Sequence, residues 1–381
     1  MTLPDERGAR ALLATWSEPG DAELGSRVRA VGAQVVVSEL VDGVSPLRRA
    51  AAMEGRIAPD RRRGLDTAYA AALRADHVGA RYVIPGDAEW PTQLDDLGHL
   101  APLGLWVAGS GDLRLLALRS ISVVGARAAT PYGEGIARAL GAEVADAGWT
   151  CVSGGAFGID AAAHRGTLAA EGATICIVAG GVDVPYPRAH VDLLARIREG
   201  GLVVSETALG GAPMRQRFLT RNRLIAALTR GTVVVEAALR SGSRTTALEA
   251  SRLSRVVMAF PGPVTSPLSQ GCHALLRAPG TLLVTSARDV LDLMEGRVAE
   301  RPAGDQDLSP REATVLDAVP VRRAAAVDRL VRTAGLTPND VLAGLGVLEA
   351  LGMVQRRDGG WIRRPGRGTG RPARTASTMD G

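Results

Sequence analysis

"CVSGGAFGIDAAAH", residues 151–164, joins a β-prone run to an alanine-rich helical pattern through a turn that opens at Ser153 and holds Gly154, Gly155 and Gly158. Such a turn lets the backbone approach a ligand closely, and the amides of the helix that follows attract anions. Three phosphate ligands meet that description: a dinucleotide, a nucleoside triphosphate and a nucleic-acid backbone. The spacing departs from G-x-G-x-x-G, and no acidic residue ends the next strand about 20 residues on, so the dinucleotide fingerprint fails. A P-loop needs a lysine, and all 45 basic residues of this chain are arginines.

Outward from this turn, short apolar runs recur at "ISVVGAR" (121–127), "ATICIVAGG" (173–181), "GLVVSE" (201–206), "GTVVVEA" (231–237), "RVVMAFPG" (255–262) and "TLLVTS" (281–286). Segments of helical length separate most of them. Apolar runs that alternate with helices predict strands covered on both faces, and right-handed crossovers then give an α/β doubly wound, mostly parallel Rossmann-like sheet. This core is expected over 76–295, with "RYVIPGDAEWPTQLDDL" as an extended lead-in. Before it, residues 1–75 read as a helical domain. After it come a charged Pro/Gly linker (296–308) and a small module (309–364). The module's Ser309/Glu312 capping box, two further helical patterns and a turn at Asp358-Gly359 predict a winged helix. The Gly/Arg/Thr/Ser-rich residues 365–381 read as a disordered tail.

Composition narrows the function classes. A net charge of +5 is compatible with a polyanionic partner. Three cysteines stand far apart, two of them inside apolar runs, as expected for buried thiols in a reducing compartment. No apolar run reaches the length of a membrane span, so a cytoplasmic protein without a membrane partner is expected. No metal-ligand clustering of the CxxC or HExxH kind is present, and neither a metal nor a cofactor is expected. His164 and His190 have no visible nucleophile partner and read as capping or surface residues. Glu206, Glu236 and Glu249 are possible acid–base groups, with loop-holding roles as the plainer reading.

Ligands of open α/β sheets sit outside the carboxyl ends of the strands. Arg127 ends the first strand of the core with a fork suited to phosphate. Ser153 and the glycines end the second, and Ser241, Gly242, Ser243 and Arg244 follow the fifth. "MRQRFLTRNRLIAALTRG" (214–231) is the densest basic segment; with a helix from about Thr220, Arg221 and Arg223 diverge by roughly 200°, so one is expected to face a ligand and the other to support structure. Phe218 beside these arginines suits base stacking. The plainer readings are tight strand–helix turns and a solvated basic face.

Together "VVGARAATPYG", "SGGAFGIDAAAH", "AGGVDVPYPRAH", "FLTRNRLIAAL", "VVVEAALRSGSRTTALEA" and "FPGPVTSPLSQGCHALL" resemble the DNA-processing protein A family (DprA, also called Smf) over about residues 80–290. The resemblance implies a protein that is not an enzyme. It would bind single-stranded DNA, protect incoming strands during natural transformation, help load the RecA recombinase and dimerise through the core. Arg127 matches the arginine after the first strand, and Gly154, Gly155 and Gly158 match the glycine loop. Phe218, Arg221, Asn222 and Arg223 match the family's F-P-x-R-N-R segment, and Ser241, Gly242 and Ser243 its Ser-Gly-Ser loop. Leu219 replaces the usual proline, His273 an asparagine, and Arg244 an aliphatic residue. Two alternatives stay open: a nucleotide-binding or nucleoside-monophosphate-hydrolysing enzyme on a related fold, with Glu236 and Glu249 as candidate acids, and a duplex-binding regulator acting through the winged helix.

Overall fold

A computed structural model describes residues 5–48, 78–296, 308–321 and 323–364. The expected segments at 49–75, 297–307 and 365–381 therefore lie outside the described residues. The chain divides into two compact units, residues 1–299 and 300–381.

The first unit is built on a nine-stranded sheet. Its strands are β1 (Ala80–Val83), β2 (Leu105–Ala108), β3 (Ser120–Val124), β4 (Thr150–Ser153), β5 (Thr174–Ile177), β6 (Leu202–Ser205), β7 (Gly231–Val234), β8 (Val256–Ala259) and β9 (Thr281–Leu283). They lie in the order β1-β2-β6-β5-β4-β3-β7-β8-β9. From β6 to β9 every neighbouring pair is parallel. The lead-in supplies the exception, because β1 and β2 run antiparallel to each other and β2 antiparallel to β6. Strands β3 to β7 are buried throughout, their serines and threonines included, as strands covered by helices on both faces are.

Chain order reverses at β3: the strands that follow it in sequence lie on one side, and β7 lies on the other. This is the topological switch point, where a crevice opens between diverging connections. The helices of the two flanks keep to opposite faces. Alanine- and glycine-rich α5 (Pro131–Asp146) and α6 (Ile159–Ala169) pack on one face with α11 (Ala287–Met294). Helices α8 (Arg215–Leu228) and α9 (Gly242–Arg252) cover the other. The remaining helices of the unit are α1 (Glu6–Trp16), α2 (Ala22–Val31), α3 (Ala33–Asp42), α4 (Leu113–Leu118), α7 (Val191–Gly200) and α10 (Gln270–Leu276). Helices α1–α3 form a core of their own around Leu12, Leu13, Trp16, Val36 and Leu40. They are tied to the sheet domain by the Arg7–Asp87 ion pair and by a hydrogen bond from Arg10 to the Leu103 carbonyl.

In the second unit α12 (Pro310–Ala318), α13 (Val327–Ala334) and α14 (Pro338–Ala350) enclose Val315, Leu330, Val341, Leu345 and Leu348. Strands β10 (Val354–Arg357) and β11 (Gly360–Arg363) form the wing. Asp358 and Gly359 both take positive φ, 51° and 75°, as the tight turn of a right-twisted hairpin demands. Trp361 pairs with Ala325, and Arg363 donates to the Leu316 and Val319 carbonyls, so the wing is fastened to the helices. Three helices and a hairpin in this arrangement form the winged helix expected from the sequence.

Both histidines expected at caps or on the surface are buried, His164 fully so. The reason is hydrogen bonding. Thr174 Oγ1 gives its proton to the Cys151 carbonyl, so His164 Nδ1, 2.7 Å away, donates to the hydroxyl oxygen. Burial, helped by His190, Arg221 and Arg165, pushes its pKa down from 6.5 to about 3 and keeps the imidazole neutral. The unfolded chain binds this proton near pH 6.5 and the folded chain does not, so stability falls as pH drops from about 6.5 towards about 3. The slope from this residue is up to ~1.4 kcal/mol per pH unit. His164→Gln keeps a donor for Thr174 and should flatten that acid limb by close to one proton in chemical-denaturation curves.

Candidate nucleic-acid interface

A cavity of about 660 Å³ opens at the switch point. Its floor comes from Val124, Gly125 and Ala126 at the end of β3, and from Ile225 of α8 and Leu268. The walls carry Arg127, Arg215, Phe218, Arg221 and Asn222 on one side, and Arg240, Ser241, Gly242 and Ser243 at the start of α9 on the other. Asp160, at the first turn of α6, is the one carboxylate among the described lining residues.

Helix α8 begins at Arg215, five residues before the expected start. Leu219 has the backbone N–H and lacks the ring of the proline it replaces, so helix extends upstream through it. The two arginines diverge as the helical spacing requires. Arg223 turns away from the cavity, donates to the Leu100 carbonyl at 3.0 Å and to Glu206 Oε1 at 2.8 Å, and is buried. Arg221 turns towards the sheet. Its Nη1 donates to the Gly154 carbonyl at 2.7 Å and to the Ile177 carbonyl, at the ends of β4 and β5. Only 7% of its surface is exposed. Among the described residues its Nε has no hydrogen-bond partner. Burial pulls the Arg221 pKa down, with Asp160 opposing. A buried guanidinium whose Nη1 is held by two carbonyls while its Nε is unpaired keeps donor capacity suited to an anion.

Arg127 lies over the Phe218 ring, 5.0 Å from its centroid, and the Tyr186 ring stands beside Phe218, tilted by 58° with centroids 5.6 Å apart. Ser241 caps α9, and its hydroxyl is 2.6 Å from that of Ser243. Asn222 links the two walls by donating to the Gly242 carbonyl at 3.2 Å. Arginines outnumber the single carboxylate, so the cavity is positively charged.

Six residues expected at the site do not line this cavity. Ser153 is buried and its hydroxyl donates to the Val123 carbonyl at 2.6 Å, so it has no proton for a ligand. Two of the glycine loop's amides are engaged within the protein, since Gly154 N–H and the N–H of Ala156 both donate to Asp160 Oδ2, at 3.2 and 3.4 Å. The glycines supply space. A Cβ on Gly154 would stand 2.6 Å from Arg221 Cζ, one on Gly155 2.6 Å from Cys176 Sγ, and one on Gly158 2.7 Å from the Arg127 carbonyl oxygen. Arg223 is paired as described, and Arg244 folds back onto the Leu239 carbonyl.

The candidate acid–base groups are also occupied. Glu236 is buried and accepts from Thr130 N–H at 2.9 Å and Thr130 Oγ1 at 2.7 Å, holding the start of α5. Glu206 pairs with Arg223 and Glu249 with Arg252. Sequence reading passed over Asp160 and Tyr186. A carboxylate directly after a glycine loop, at the start of a helix, was the available signal for Asp160. For Tyr186 it was an aromatic residue in a chain with only 3% of them.

With this geometry in place, comparison with known proteins is decisive. The family model of DNA recombination-mediator protein A matches residues 81–295, and a DprA winged-helix model matches 299–360. A putative DNA processing protein DprA from Mycobacterium tuberculosis is 43% identical, covering 94% of this chain and 95% of its own. The chain belongs to the DNA recombination-mediator protein A (DprA/Smf) family. The crystal structure of DprA from Streptococcus pneumoniae superposes with a TM-score of 0.62 at 31% identity, over 76% of this chain and 98% of that one. DprA from Helicobacter pylori, described for its single-stranded DNA binding mode, superposes with a TM-score of 0.51 at 26% identity, over 56% of this chain and 96% of that one. Among the described residues no helix is long and apolar enough to cross a membrane.

The buried Arg223–Glu206 pair generates a stability prediction. Removing either partner alone strands the other charge, at a cost of about 3–5 kcal/mol. Arg223→Met and Glu206→Leu together should cost clearly less than the sum of the two single changes, as read in a denaturant double-mutant cycle.

Proposed function

We propose that the cavity binds single-stranded DNA, and that the protein acts in recombination as a binding mediator with no catalytic step. The observation that carries this reading is the unpaired Nε of the buried Arg221 guanidinium, set beside the Arg127–Phe218–Tyr186 stack. The guanidinium takes a backbone phosphate, Arg127 and Arg240 take its neighbours, and a base lies against Phe218. An aromatic face of this kind is open to an unpaired base and closed to one stacked within a duplex. The binding mode recorded for the Helicobacter relative supports the ligand class. Phe157 and Tyr186 remain 47% exposed, which places further stacking surface near the same strand ends of a chain poor in aromatics.

On this reading the protein protects single strands, helps load RecA onto them in natural transformation or general recombination, and works in the cytoplasm as a homodimer through its core. The support for these roles is membership of the family. Occupied carboxylates at Glu206, Glu236 and Glu249 favour binding over hydrolysis, and incubation with nucleoside monophosphates should release no free base.

Arg221→Ala should weaken binding of an unstructured oligothymidylate by about 1.5–3 kcal/mol, as for loss of a charged hydrogen-bond partner. Arg127→Ala should also lower the dependence of log K on log salt by roughly 0.7, the share of one single-strand phosphate. Phe218→Ala should cost about 1–3 kcal/mol with little change in salt dependence. Gly154→Ala, which displaces the Arg221 guanidinium, should reproduce the Arg221→Ala loss. Unchanged affinity in Arg221→Ala, measured by fluorescence anisotropy in a folded variant, would remove the cavity from DNA binding.

A further inference from the structure

Asp160 is out of place by charge. It lines a cavity otherwise furnished with arginines, and it is 6% exposed. An anion-binding wall gains nothing from a carboxylate unless the carboxylate has another task. Its Oδ2 accepts from Gly154 N–H at 3.2 Å and Ala156 N–H at 3.4 Å, which sets the course of the glycine loop. Its charge also offsets that of Arg221 while the cavity is empty of ligand. A phosphate entering against Arg221 takes over that offset and adds a second negative charge beside Asp160. Two anions in one desolvated cavity repel, and the carboxyl group is the one that can discharge by taking a proton.

We propose that Asp160 is the charge-balancing residue of this cavity: ionised when the site is free, it takes a proton from solvent as a nucleic-acid phosphate replaces it as the counter-ion of Arg221. The inference rests on the single-stranded DNA reading above and gives that site a built-in coupling to pH.

Every titratable or charged group that faces Asp160 from a neighbouring element is consistent with this assignment. Burial raises its carboxyl pKa above the usual range, against the opposing effects of Arg221 from α8, the Ala156 and Gly154 amides, and Arg127 from the end of β3. Cys176 on β5 and Cys151 on β4 are each pushed up by burial to about 12, and stay neutral. His164 on α6 is pushed down to about 3 and stays neutral too. His190, whose Nδ1 is 3.0 Å from the Gly155 carbonyl, is held outside the cavity wall. The sign follows. A bound phosphate raises the Asp160 pKa further, so the complex holds more protons than the free protein, and affinity rises as pH falls.

The full-length protein and Asp160→Asn would be compared on an unstructured oligothymidylate from about pH 5 to about pH 8 at constant ionic strength. Asparagine keeps an oxygen for both amides and loses the charge. Wild type should lose affinity severalfold as pH rises, and calorimetry in two buffers of different ionisation heat should show net proton uptake. Asp160→Asn should bind more tightly at the alkaline end, with a flatter profile and less proton uptake. Equal profiles and equal uptake in the two proteins would overturn the proposal while leaving DNA binding intact. If the variant does not fold, absence of proton uptake by wild type alone overturns it. A wild type that fails to bind the oligonucleotide at any pH would instead overturn the reading of the cavity, and this proposal with it.

Discussion

The structure around the site depends on how one buried guanidinium is satisfied. Arg221 reaches from α8 across to the carboxyl ends of β4 and β5, where the Gly154 and Ile177 carbonyls accept from it. Gly154 lies just past the end of β4 and Ile177 is the last residue of β5, where carbonyls need a donor. A lysine could reach one of them, but it presents no second, parallel edge to a ligand; the planar fork of arginine does both. The rest of the local sequence follows from making room for it. Gly154 has no Cβ because Arg221 occupies that space. The Gly154 and Ala156 amides are turned onto Asp160, and Asp160 stands where it offsets the guanidinium.

This alters the physical meaning of the glycine loop. Read as a sequence, three glycines between strand and helix suggest amides pointing at phosphate. In the folded protein the Gly154 amide is turned onto Asp160, and what the glycines contribute is close approach of side chains and backbone from other segments. Gly158 shows the same thing, since its φ of 71° and its contact with the Ala126–Arg127 backbone bring the end of β3 against the start of α6.

Much of the fold was legible because it is written in period and punctuation. Apolar runs such as "ISVVG" and "GTVVVEA" can only be strands covered on both faces, and alternation with helices leaves few topologies. The divergence of Arg221 and Arg223 was legible for the same reason, being a property of helical spacing alone. Which of the two lined the cavity was not, because that depends on Glu206 and Leu100, distant in sequence, taking Arg223. Ser153 was misplaced on the cavity for a related reason: strand-end hydroxyls look available until the neighbouring strand's carbonyl, here Val123, is known. The burial of His164 depended on Thr174, a partner on another element. Long-range pairing decides what local pattern leaves open.

Helix α8 also ties the N-terminal helices to the site. Glu18 receives two hydrogen bonds from Arg217, from Nε at 2.8 Å and Nη2 at 3.0 Å, and Glu206 accepts both from Arg223 and from the Gly20 amide at 3.3 Å. The residues that follow α1 are thus fastened to the same two turns of helix that carry Phe218 and Arg221. The winged helix has a different character. Its third helix, "PNDVLAGLGVLEA", contains no basic residue, whereas the wing carries Arg356 and Arg357 exposed, with Arg356 over the Trp361 ring at 4.9 Å. A helix without a cation is poorly equipped to lie in a major groove lined by phosphates. The third helix therefore carries none of the cations that pair with duplex phosphates, and Arg356 and Arg357 lie on the wing.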